Sequence, residues 1–333
     1  MVIAGLLSCN RGAIDPDIPE DNIPMEFNAS VDWGVKSKSL INNAEDLQSC
    51  EISILAKATV GSNDYSVFNN DRLYYADGCW TYGTAKYWFP GAKYNFAAFA
   101  PFASDDAGTN KLSNGTVSFS NTDGDPVLTI EDYDTGSTCS DARSEDLLVA
   151  HYVRDNTSAK DYSAVPLAFE HILSCITFSI RNTTNQDITK VSAIALNGLQ
   201  YKCDINLTTS AVTVAAKNDR GSIGSGDRDS DAGGNPFLPK GMAETAYKPL
   251  FDCEVLTLLP QSLYGQDGMT LTFKVHYGDY DVDGKGYSLN LGNVESIRDW
   301  KAGRKYDYSM SITSTDILFQ VVEVPWIEHE VEL

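Results

Sequence analysis

Met25-Glu26-Phe27-Asn28-Ala29-Ser30-Val31-Asp32-Trp33 alternates apolar and polar residues without a break. Successive side chains of a strand point to opposite faces, so Met25, Phe27, Ala29, Val31 and Trp33 share a buried face and the residues between them meet water. The same period returns at Ile52-Ile54-Ala56-Ala58-Val60 and Tyr94-Phe96-Ala98-Ala100-Phe102. It recurs at Ile176-Phe178-Ile180, Met269-Leu271-Phe273-Val275-Tyr277 and Tyr306-Tyr308-Met310-Ile312. Turn-forming clusters separate these runs: Gly61-Ser62-Asn63-Asp64, Asn121 to Pro126, and Asp283-Gly284-Lys285-Gly286. Only Asn293 to Ala302, with Gly303 as its cap, is compatible with a short helix. Many short strands joined by regular turns predict an all-β protein built of sandwiches or barrels.

The chain has 333 residues, enough for about two domains and for a core that needs neither metal nor disulfide. The composition shifts near Tyr162 to Pro166, where polar Arg154 to Ser163 gives way to an apolar run beginning at Val165. The expected organisation is therefore a leader and tether over 1–24, one β-sandwich over 25–163 and a second over 164–333. Lys217 to Pro236, rich in Gly, Asp and Ser, reads as a long exposed loop. With 46 acidic against 25 basic residues the net charge is −21. A field of that sign repels phosphate backbones and anionic headgroups, so nucleic acid is not an expected partner.

Met1 to Leu7 is apolar but far too short to span a bilayer, which takes about 20 residues. It has the look of a clipped secretory leader without its basic n-region. Leu6-Leu7-Ser8-Cys9 resembles a bacterial lipobox, in which the cysteine becomes the lipidated N-terminus. The polar, Pro-containing stretch Asn10 to Pro24 that follows suits a tether. Cys9 is thus the expected lipidation site, with the outer membrane as its anchor. The other six cysteines, Cys50, Cys79, Cys139, Cys175, Cys203 and Cys253, are scattered singly, which argues against zinc and leaves their pairing open.

Asp279, Asp281 and Asp283 before Gly284 resemble the opening of a calcium loop, yet position twelve holds Asn290 in place of the bidentate glutamate. An acidic hairpin turn explains the same residues. His171 has Glu170 and Ser174 nearby, but neither a G-x-S-x-G elbow nor an H-E-x-x-H helix occurs, so a structural histidine and a non-enzymatic protein are expected. No cofactor is expected.

Four segments resemble the fimbrillin-like family, the type V pilin subunits of anaerobic Gram-negative bacteria. They are Lys86-Tyr-Trp-Phe-Pro90 with Tyr94-Asn-Phe-Ala-Ala-Phe-Ala-Pro101, then Asp146-Leu-Leu-Val-Ala150 with Val165-Pro-Leu-Ala-Phe-Glu-His-Ile-Leu-Ser174. Leu258-Leu-Pro-Gln261 with Thr272-Phe-Lys-Val275, and Trp300-Lys-Ala-Gly-Arg-Lys-Tyr-Asp-Tyr308 with the late Trp326, complete the series in order. The resemblance implies two tandem transthyretin-like sandwiches, a lipoprotein precursor, assembly at the cell surface and other pilin subunits as partners, with the receptor unspecified. It also implies processing by a trypsin-like protease, for which Lys36 and Lys38 are the basic residues after the first strand, the alternative being an ordinary solvated loop.

Release of Met25 to Trp33 would leave a groove of unpaired backbone groups. An extended segment of a neighbour can add there as a strand. Ile317 to Leu333 is the expected donor, with Leu318, Val322, Val324 and Trp326 as anchors. Two other readings compete with it. A non-polymerising lipoprotein that binds glycans would need Trp80 and Trp88 in an exposed platform. A hydrolase would need a deep pocket with displaced titrations.

Overall fold

The computed structural model describes residues 23–31, 44–103, 111–112, 115–120, 127–135, 146–158, 160–207, 212–216, 220–263, 269–278 and 281–325. Within them the chain is almost all strand, as expected. The exceptions are a short helix, Ala44–Gln48, and a 3-10 turn, Leu291–Asn293. The alternating runs become the strands Phe27–Val31, Ile52–Val60, Lys93–Ala100, Ser174–Asn182, Thr270–Tyr277 and Arg304–Ile312.

A seven-stranded sheet runs Phe27–Val31, Val165–His171, Leu148–Asp155, Lys93–Ala100, Ile52–Val60, Asn63–Ala76, Cys79–Tyr82. Its central strands put small residues on the core face, Ala56, Ala58, Ala98, Ala100 and Ala150. They leave room for large rings, Tyr94 and Phe96 on the central Lys93–Ala100 itself and Phe27, Phe68, Tyr82 and Trp88 from around it. Val165–His171 shows strict alternation of buried and exposed residues. It carries Pro166 where Asn28 is its neighbour, before pairing with the next strand begins at Glu170. The missing N–H of proline therefore breaks no second ladder.

Two further sheets share one core. Ser174–Asn182 pairs in parallel with Arg304–Ile312, which pairs with Ile317–Pro325. Ile188–Gln200 lies between Arg220–Gly224 and Thr270–Tyr277, and Lys285–Asn290 closes that sheet. Phe178, Ile180, Leu196, Leu271, Phe273, Trp300, Tyr308 and Met310 fill the space between them. A third cluster (Leu55, Phe99, Ile130, Ile172, Leu173, Cys203, Ile205 and Leu259) lies on the reverse face of the seven-stranded sheet. Ile205 in it comes from Lys202–Leu207, which pairs with Val127–Asp134.

Several expectations differ from the structure. The sheet of the first half takes in Val165–His171, beyond residue 163. Buried Arg154 holds the intervening connector: its guanidinium donates to the carbonyls of Ser163, Ala164 and Asp161 and lies 5.0 Å over the Trp88 ring. The expected helix over 293–302 does not form, because Trp300 is pulled into the core with its indole N–H on the Tyr308 hydroxyl at 2.8 Å. The polar stretch 217–236 is not all loop, since Arg220–Gly224 and Arg228–Asp229 both pair with Ile188–Gln200. Of the cysteines whose pairing was open, Cys79 and Cys253 each belong to a disulfide and Cys50 and Cys175 are free thiols. No helix of the described residues is long and apolar enough to cross a membrane.

Candidate functional site

The first strand is held more elaborately than its alternation implies. Phe27–Val31 forms an edge of its sheet, parallel to Val165–His171 and in register from Phe27 opposite Val165 to Val31 opposite Phe169. The attachment begins earlier, at Ile23. The Ile23 carbonyl accepts from Trp88 N–H at 3.1 Å, Met25 N–H donates to the Lys86 carbonyl at 2.8 Å, and the Glu26 carbonyl accepts from Val165 N–H at 2.7 Å. A loop thus covers the side of this segment away from the sheet.

Its side chains fill a row of sites. Ile23, Met25, Phe27 and Val31 are all buried, and Ala29 is half-buried. The Phe27 ring meets three others nearly edge-on, with centroids 5.4 Å from Phe68, 5.7 Å from Tyr82 and 6.1 Å from Phe96. The Tyr82 hydroxyl donates to the Met25 carbonyl at 2.7 Å. Burial pushes its ionisation up to about 12 from an ordinary 10. For an acid raised in the folded state, the stabilisation is complete below the unfolded value and is lost as pH rises through the folded one. Tyr94 and Tyr306, also buried and also raised to about 12, add to it. The protein is expected to lose stability between pH 10 and 12, and removal of the first strand should let Tyr82 ionise nearer 10 in an ultraviolet titration.

Of the other residues read from the sequence, Cys9, Trp33, Lys36, Lys38, Trp326 and Asp279 lie outside the described residues. The candidate donor residues Leu318, Val322 and Val324 share one face of Ile317–Pro325. Leu318 and Val322 stand 63% and 57% exposed, while Ile317, Phe319 and Val321 pack inward. That strand too lies at the edge of its sheet. Trp80 and Trp88 are buried, so they form no exposed platform.

In the acidic turn, the Asp281 carboxylate accepts from the backbone N–H groups of Tyr277 and Gly284 and so closes the turn, while Asn290 caps Gly292. Gly284 has φ +65°, and a Cβ there would stand 2.7 Å from the buried His276 ring. His276 is fixed by Ser192 Oγ at 2.7 Å and the Asp281 carbonyl at 2.6 Å. Gly284→Ala is therefore expected to cost roughly 1–3 kcal/mol in chemical denaturation.

One contact was not expected from the residues themselves. His171 Nδ1 and Asp146 Oδ1 lie 3.0 Å apart with both side chains buried, joining the two segments quoted above as one motif. Ser174 is not in this pair; its hydroxyl donates to the Lys301 carbonyl.

A sequence model described as fimbrillin-like matches residues 42–326. No curated protein matches the chain in sequence. Among solved structures, a fimbrial protein from Bacteroides vulgatus is similar over 91% of this chain and 99% of its own, at 16% identity and a TM-score of 0.60. A protein from Bacteroides ovatus, described as a candidate for cell adhesion, covers 92% of this chain and 99% of its own, at 13% identity and TM-score 0.54. One from Bacteroides uniformis with the same description covers 93% and 100%, at 15% identity and TM-score 0.51. These likenesses carry the fold, and the match over most of the length carries the family: the chain belongs to the fimbrillin-like family.

Proposed function

We propose that this chain is a fimbrial subunit, exported as a lipoprotein, that joins other copies at the cell surface by exchanging strands. Cys9 carries the lipid that holds the precursor to the outer membrane, and Asn10 to Pro24 is its tether. Single acyl chains bind membranes only marginally, so more than one chain is required there. Cleavage at Lys36 or Lys38 separates the segment ending at Val31 from the body of the protein. The vacated groove then takes the C-terminal segment of another copy, with Leu318, Val322, Val324 and Trp326 as anchors, in two tandem sandwich units of otherwise unchanged fold.

The observation that supports this most is the first strand's attachment. It is an edge strand, joined to the rest through the segment that holds both lysines, and four side chains of Ile23 to Val31 fill a closed apolar row. The C-terminal strand matches it as an edge strand whose outer face exposes Leu318 and Val322.

The test is native trypsin digestion of the full chain followed by size measurement and SDS electrophoresis. Loss of the residues up to 36 or 38 with growth of SDS-resistant oligomers is expected. Leu318→Ser/Val322→Ser, changed where the lone protein exposes them, should clip normally and grow far less. Clipped protein that stays monomeric would overturn the reading.

A further inference from the structure

Pairing of the first strand with Val165–His171 is parallel, which gives the groove a direction. A replacement of the same polarity keeps the backbone partners at Lys86, Trp88 and Val165 and has its own N-terminal end where Ile23 now lies. The body of the donating molecule must therefore sit at that end. Beside it, Tyr87 is bridged through its backbone to Pro24. Tyr87 and Phe89 flank buried Trp88, so both rings turn outward, 45% and 42% exposed. Tyr65, 45% exposed, adds a third ring with its centroid 5.7 Å from that of Phe89.

Isolated exposed hydrophobes need no explanation, but contiguous aromatics at the mouth of a groove do. We propose that the Tyr65–Tyr87–Phe89 patch seats the body of a second copy of this chain, around its Thr313–Asp316 turn, when its C-terminal strand fills the groove. This rests on the strand-exchange reading above. Two features select a second copy as the occupant. The patch is continuous with the rim that the incoming chain must cross. Two molecules of net charge −21 also repel, so their bodies approach more readily through aromatic rings such as these than through acidic surface. Aromatic rings are the side chains that concentrate contact energy at such sites.

The experiment places a benzophenone amino acid at Tyr87 in the full chain, clips it, lets it grow and irradiates. As control the same group goes at Tyr74, exposed but nine residues beyond Tyr65 on the same strand, about 30 Å away. Crosslinking to a second copy is expected to be about tenfold greater from position 87. In parallel, Tyr65→Ser/Phe89→Ser should slow growth about tenfold, the effect of some 1.4 kcal/mol. A synthetic peptide of residues 317–333 should bind the clipped variant as tightly as the clipped parent. Equal crosslinking from both positions, or growth unchanged in the variant while the peptide still binds, would overturn the patch and leave strand exchange standing. A peptide that does not bind the clipped parent would overturn strand exchange itself, and the patch with it.

Discussion

Phe27→Ala is expected to destabilise the uncut protein by about 3–5 kcal/mol, read as a lower denaturation midpoint at unchanged slope. The ring is 3% exposed and three aromatic neighbours pack edge-on around it. Truncation forfeits the transfer of the ring from water, the three ring pairs at about 0.5–1.5 kcal/mol each, and leaves a cavity between rigid rings that cannot collapse. Asn28 and Ser30 on the same strand are exposed and set the comparison: their alanine variants should fall within about 0.5 kcal/mol of the parent. A cost below 1 kcal/mol for Phe27→Ala would mean that the strand is a loosely held edge, and the idea of a groove with a deep central site would fail. Proteolysis at Lys36 or Lys38 should also speed up in Phe27→Ala if the released segment leaves through transient opening, because that population follows stability.

The same magnitudes bear on which strand belongs in the groove. At home the anchors Leu318 and Val322 of the C-terminal strand stand 63% and 57% exposed. The sites vacated by Ile23, Met25, Phe27 and Val31 are 1–5% exposed. At roughly 25 cal/mol per Å² of apolar surface, moving such side chains from a half-covered face to a covered row is favourable. Against it stands a nine-residue ladder with Arg304–Ile312 and the Arg304–Glu323 ion pair at 2.9 Å, both of which leaving would break. The ion pair is half-buried and the backbone bonds would be remade in the groove, so the balance turns on burial: the gain at Leu318 and Val322 against the partial packing of Ile317, Phe319 and Val321 that is given up.

Period-two alternation was legible in the sequence where burial on one face of a strand leaves that mark, as in Phe27–Val31, although Ile52–Val60 and Lys93–Ala100 prove buried on both faces. Three members of the seven-stranded sheet could be read this way, Phe27–Val31, Ile52–Val60 and Lys93–Ala100. Pairing could not. Nothing in Phe27–Val31 says that its partner is Val165–His171, 138 residues further on, or that the two run parallel. The division expected before Val165 followed a real change in polarity, but Arg154 ties the polar connector down through carbonyls, contacts that leave no compositional trace. Expectation of a helix near residue 300 weighed local propensity, and burial of one tryptophan outweighed it. The grip on Ile23 and Met25 comes from backbone groups of a loop, which is equally silent in sequence.

Breaking the Asp146–His171 pair is the other change with a large expected effect. The two side chains are 2% and 3% exposed and 3.0 Å apart, beneath the cluster that joins the reverse face of the seven-stranded sheet to Ile172, Leu173 and Cys175. Taking a carboxylate out of water is repaid only by a partner in good geometry, so removing either partner leaves the other poorly compensated. His171→Ala and Asp146→Ala should each cost about 3–5 kcal/mol. Replacing both by leucine removes the desolvation penalty together with the attraction, and such exchanges are often neutral or stabilising. The double variant Asp146→Leu/His171→Leu should therefore be more stable than either alanine variant, whereas independent contributions would make it the least stable of the three. That second ordering would mean the two groups act separately, and the junction would then owe its hold to the apolar cluster alone. The expected ordering would make the aspartate and histidine of the quoted motif one structural unit, which ties the end of one strand to the start of another across 25 residues of chain.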